Sequence, residues 1–86
     1  MMINKRTAVD QIEVTRNGTI QVRIALEVVD GSNIIAHKWH RTAIEAGGDV
    51  DAQMAAVNAH ITSEPMNEQP VSAADIARIK AVQAAI

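Results

Sequence analysis

Residues 20–29 read IQVRIALEVV. Ile20, Val22, Ile24, Leu26 and Val28 take every second position, with Gln21, Arg23 and Glu27 between them. Strand side chains alternate between faces, so this pattern predicts a strand with one face on a core and the other in water. Upstream, residues 8–15 (AVDQIEVT) end in a run where Ile12 and Val14 alternate with Glu13, a second strand. Downstream, residues 34–44 (IIAHKWHRTAI) are strand-like by composition but alternate less clearly.

The turns between these segments set the pairing. A two-residue Asn17-Gly18 turn would pair Ile12 with Arg23 and put the two apolar faces on opposite sides. A three-residue loop, Arg16-Asn17-Gly18 with Gly18 left-handed, pairs Val14 with Ile20 and Ile12 with Val22. A one-residue slip turns every side chain over, so the hydrophobic pattern selects the three-residue loop and a bulge at Gly18. At Asp30-Gly31-Ser32-Asn33, a two-residue type II′ loop and a four-residue loop give the same parity. Both set Val28 against Ile35, Leu26 against His37, Ile24 against Trp39 and Val22 against Arg41. Trp39 is then expected in the core beside Ile24 and Val22. Arg23, Glu27, Lys38 and His40 are expected on the wet face of a three-stranded antiparallel meander.

The chain then changes character. Glu45-Ala46-Gly47-Gly48 is a break, and Asp49 is a good N-cap. Val50, Met54, Val57 and Ile61 recur at helical spacing, predicting a helix over 49–62. Residues 63–71 (SEPMNEQPV) hold both prolines and no periodicity, the mark of a linker. Ser72 with Asp75 three residues on resembles a capping box, and Ile76, Ile79, Val82 and Ile86 line one side of a terminal helix over 72–86. The expected fold is α+β, with the meander over 8–44 and two helices packed on one face, all in a single small domain.

Composition bounds the function. The 86 residues carry a net charge of −2, no Cys, no Phe, no Tyr and one Trp. Lack of Cys excludes disulfides, thiolate metal sites and a Cys nucleophile. No apolar run approaches a membrane span. Residues 1–6 lack the apolar region of a signal peptide, so secretion by one is not expected. Basic residues dominate up to Arg41 and acidic ones thereafter, a distribution that suits head-to-tail self-association. A core this thin yields about 3–5 kcal/mol, a shortfall that small domains often make up by oligomerising. The expectation is therefore a homo-oligomer, with the terminal helix as an element suited to swapping. The candidate interaction surface is the wet face, comprising Arg23, Ala25, Glu27, Val29, Ile34, Ala36, Lys38 and His40.

No residue pattern assembles a chemical site. His37 and His40 lie three apart in a strand, on opposite faces, and cannot share a metal ion. His60 sits near a helix C-terminus, where its cationic form complements the helix dipole. Asp49 and Asp51 are explained by capping and the first helical turn. Gly47-Gly48-Asp49 precedes a helix as anion-binding loops do, but Asp49 would repel a phosphate. Trp39 reads as a packing element. Arg23, Lys38, Arg41 and His40 make a weak case for gripping a phosphate backbone, since the register divides them and Glu27 interrupts them. The expectation is no catalytic, cofactor-binding or metal-ligating residue, a non-enzyme, and no membrane or nucleic-acid partner. The alternative is a small nucleic-acid-binding regulator using the sheet face.

Two strand segments, then Trp39-His40-Arg41, then Gly47-Gly48-Asp49 opening an Ala-rich helix, resemble small uncharacterised proteins encoded by tailed phages and prophages. The resemblance covers residues 8–61. Those proteins often have Tyr and Pro where this chain has Trp39 and Ala46. It implies a structural, assembly or adaptor role of phage type, with another phage structural protein as a further partner, and brings no catalytic residues with it.

Overall fold

In a computed structural model that describes residues 3–86, the chain forms strands β1 (Ile3–Val14), β2 (Ile20–Asp30) and β3 (Asn33–Ile44), then helices α1 (Val50–Thr62) and α2 (Ala73–Ala85). Met1 and Met2, where the signal-peptide expectation begins, lie outside the described residues. The sheet is antiparallel in the order β1-β2-β3, so the fold is the α+β meander read from the sequence. β1 starts earlier than its alternation announces. Ile3, Lys5 and Thr7 pair with Asp30, Val28 and Leu26, and this pairing holds a polar segment of poor strand pattern in extended form.

The first hairpin closes as expected. Ile12 pairs with Val22 and Val14 with Ile20. The Thr15 amide donates to Thr19 O at 2.9 Å around a three-residue loop in which Gly18 has φ +87°. A side chain at Gly18 would be strained by that φ and would place its Cβ 3.2 Å from the Ala46 Cβ.

The second hairpin corrects the expected register. Its two-residue turn pairs Asp30 with Asn33 and has Gly31 at φ +61°, but a bulge at Ile35 follows. Val29 pairs with Ile34, and Val28 pairs with Ala36. From there every partner is displaced by one residue: Leu26 faces Lys38, Ile24 faces His40, Ala25 faces Trp39, Arg23 faces Arg41 and Val22 faces Thr42. Trp39 is therefore not a core residue; it is 46% exposed on the face away from the helices. Ala36, Lys38 and His40 turn to the helix side, while Arg23, Ala25, Glu27, Val29 and Ile34 stay on the open side.

The bulge has a physical cause. Without it Arg41 would lie opposite Val22 beneath α1, and burying an unpaired guanidinium costs more than the ~2–3 kcal/mol gained by burying an indole. With it, Thr42 takes that position and accepts a hydrogen bond from Gln53 Nε2 at 2.6 Å. Ile44 pairs with Ile20 and is buried.

The core lies between one sheet face and the two helices. Ile20, Val22, Ile24 and Leu26 of β2 meet Val50, Met54, Val57 and Ile61 of α1 and Ile79 of α2. The four α1 residues are those singled out by their spacing, and Asp49 caps the helix by accepting from the Ala52 amide at 3.1 Å. On α2, Ile79 is buried and Ile76 packs against the core, but Ile86 is exposed at the chain end. Ser72 accepts from the Asp75 amide at 3.2 Å. The Asp75 carboxylate does not reach back as in a capping box. It accepts from the Val9 amide at 3.0 Å and from Arg78 Nη1 at 2.9 Å, tying α2 to β1. Residues 63–71 are pinned to the body: the Glu68 amide donates to Ile61 O at 2.7 Å and the Val71 amide to Asn58 Oδ1 at 2.8 Å.

Candidate interaction surface

The helices cover one sheet face, and the other face is open. Cross-strand partners share a face, so the open side reads as rows across β1, β2 and β3. Nearest the first turn are Glu13, Gln21 and Ala43, followed by Gln11, Arg23 and Arg41. Then come Ala8, Ala25 and Trp39; Arg6, Glu27 and His37; and, at the far end, Asn4, Val29 and Ile34.

The centre of this face is organised around Trp39. The Arg23 guanidinium carbon lies 4.4 Å from the indole centroid, and the His37 ring meets the indole edge-on at 5.2 Å and 62°. Arg23 is in turn held by Asp10, whose Oδ2 accepts from Arg23 Nε at 2.9 Å. Asp10 is the extra residue of a bulge in β1, where the register shifts between Val9 and Gln11. The bulge lets its carboxylate reach the arginine on the central strand. Arg6 pairs with Glu27 at 2.9 Å. Arg41 and Glu13 take part in no ion pair among the described residues. They border a shallow depression of about 370 Å³ whose floor includes Gln11, Gln21, Arg23 and Ala43. Guanidiniums at Arg6, Arg23 and Arg41 are matched by carboxylates at Asp10, Glu13 and Glu27, so the face carries little net charge.

Lys38 and His40, turned to the helix side, have internal partners. Glu68 Oε1 stands 3.7 Å from both Lys5 Nζ and Lys38 Nζ, with the Glu68 side chain 6% exposed. The acid joins the outer strands to the segment between the helices, and its Oε2 has no hydrogen-bond partner among the described residues. His40 lies against His60 of α1, ring centroids 5.4 Å apart. Burial first, and the neighbouring His60 second, lower the His40 pKa from its ordinary value of 6.5. Neither contact was readable from the sequence, because each joins residues distant in the chain with no spacing to mark them.

The remaining sequence candidates are separated or occupied. His37 and His40 point to opposite faces, as the strand period requires, and no three His, Asp or Glu gather into a metal-ligating group among the described residues. Asp49 caps α1 while Asp51 pairs with Lys80 at 2.7 Å, and this contact raises the Lys80 pKa. The Gly47-Gly48 loop is used internally: the Gly48 amide donates to Glu45 O at 2.8 Å, and Gly48 O accepts from Gln83 Nε2 at 2.7 Å. No helix among the described residues is long and apolar enough to cross a membrane. Compared with known protein families, curated proteins and solved structures, the chain matches none.

Proposed function

We propose that this protein is a non-enzymatic structural, assembly or adaptor component of phage type that acts as a homo-oligomer through its open sheet face. The observation that carries this reading is the half-exposed Trp39 at the centre of that face, with Ala25 across from it and the exposed Ile34 on the same face toward the second turn. Covering a large apolar side chain returns about 1.5–3 kcal/mol, a substantial gain for a domain with so thin a core. Balanced charge on the same face favours a protein partner over a polyanion. The phage assignment, with a location in the host cytoplasm or a virion and another phage structural protein as a further partner, is supported by the resemblance over residues 8–61.

Light scattering across a tenfold concentration range tests the oligomer. A dimer or larger species supports the reading, and a monomer throughout removes it. A second reading, nucleic-acid binding, is favoured by Trp39 on an open sheet beside the row that holds Arg23 and Arg41. It requires salt-dependent binding to a mixed oligonucleotide pool. Absence of binding at low salt eliminates it.

A further inference from the structure

We infer that the partner of the open face is a second copy of this chain, related by a two-fold axis parallel to the strands. This rests on the oligomeric reading above and names the contacts that reading leaves open. Such an axis, lying between two facing sheets, preserves level along the strands and exchanges the outer ones. β1 then faces the other copy's β3, and β2 faces β2.

Two adjoining rows of the open face are complementary under that operation. In the middle row, Ala8, Ala25 and Trp39 run small, small, large. The exchange places each indole above the other copy's Ala8, so the largest side chain of the face meets one of its smallest. In the adjoining row, Arg41 comes to lie over Gln11, one step along β1 from Glu13. Glu13 faces Ala43, whose small side chain leaves room for the guanidinium to reach the carboxylate. Arg41 and Glu13, neither of which has an ion-pair partner among the described residues of its own chain, thus satisfy one another twice across the interface. The two Arg23 groups meet near the axis, each neutralised by its own Asp10.

The competing two-fold, perpendicular to the strands, sets β3 upon β3. On its open face β3 presents His37, Trp39 and Arg41 and no acidic residue, so that arrangement offers Arg41 no carboxylate on the facing strand. Stacked sheets pack about 10 Å apart with strands some 30° from aligned. A twist of that size displaces the outer strands by less than one residue step. Strand length and spacing give a face of roughly 40 Å by 14 Å. Two copies therefore cover on the order of 1,000 Å², the lower bound for a specific interface.

The test measures the molar mass of the full chain by light scattering as a function of concentration, with circular dichroism as the control for folding. Ala8→Arg places a long cation under the incoming indole and is expected to weaken association at least about tenfold. Arg41→Glu and Glu13→Arg are each expected to weaken it, and the double charge swap to restore it. Wild-type dimers that Ala8→Arg dissociates and the double swap rescues establish the arrangement. An oligomer indifferent to Ala8→Arg and to Arg41→Glu overturns the proposed face and leaves the oligomeric reading standing. Dissociation by Arg41→Glu without rescue in the double variant overturns the chosen axis. A wild-type monomer at every concentration overturns both.

Discussion

Trp39 stands directly across from Ala25 on the open face of the sheet, and Ala25 is 4% exposed although no helix lies above it. The small side chain on the central strand leaves room for the indole, which is held between Arg23 and His37. The single tryptophan therefore organises an outer surface instead of a core, and its removal should reflect that.

Trp39→Ala is expected to destabilise the monomer by only about 1 kcal/mol, the scale of a cross-strand pair with an exposed cation–π contact. Met54→Ala, which empties a fully buried site between α1 and β2, should cost about 2–5 kcal/mol. Urea titration at a concentration low enough to prevent association compares them. A loss for Trp39→Ala as large as that for Met54→Ala would contradict an exposed indole.

Ile35 is the extra residue of the β3 bulge, and its removal leaves Val28 across from Ala36 and Val29 across from Ile34. A chain lacking Ile35 should keep residues 36–44 on their present faces and remain folded. Acrylamide quenching of Trp39 in the monomer reads the outcome. Protection of the indole would mean that β3 had slipped and turned over.

Burial, and His60 beside it, lower the pKa of His40 in the folded chain below the ordinary 6.5. The unfolded chain binds the proton first as pH falls, which favours unfolding. Stability is therefore undiminished above about pH 6.5, declines as pH falls from there to the lowered pKa, and levels off below it. Denaturation midpoints at about pH 7.5 and 5 should differ more in wild type than in His40→Gln. Equal differences in the two proteins would rule out His40 as the source.

The Asp75 carboxylate accepts from the Val9 amide at the β1 bulge, joining α2 to a strand 66 positions away. Asp75→Ala should cost about 1–3 kcal/mol by leaving that part-buried donor unpaired. Amide exchange at Val9 should accelerate while exchange at Ile24, on the central strand, follows global stability alone. An unchanged Val9 rate would show that the amide is protected by something else.

Local physics made much of this fold legible. Five alternating apolar residues from Ile20 to Val28 define the central strand, and Val50, Met54, Val57 and Ile61 define the buried stripe of α1. The Gly18 loop followed from the requirement that Ile12 and Val22 share a face. β3 was different, because both of its alternating sets mix apolar and polar residues. Ala36, Lys38, His40, Thr42 and Ile44 read no worse as a core face than Ile35, His37, Trp39, Arg41 and Ala43. No glycine marks the bulge that chooses between them.

The candidate surface was legible to the same extent. Arg23, Ala25, Glu27, Val29 and Ile34 were assigned to the open face and lie there, whereas Ala36, Lys38 and His40 belong to the helix side. Sequence alone determined the order and kind of the elements, the first register and one face of β2, since each depends on the period and capping of neighbouring residues. Tertiary structure decided which half of β3 faces the helices, because that choice compares burying Arg41 under α1 with exposing Trp39 on the opposite side. It also decided the pairing of His40 with His60 and of Glu68 with Lys5 and Lys38. These contacts arise only when α1 and the segment after it settle on the sheet, and nothing in the spacing of the residues along the chain anticipates them.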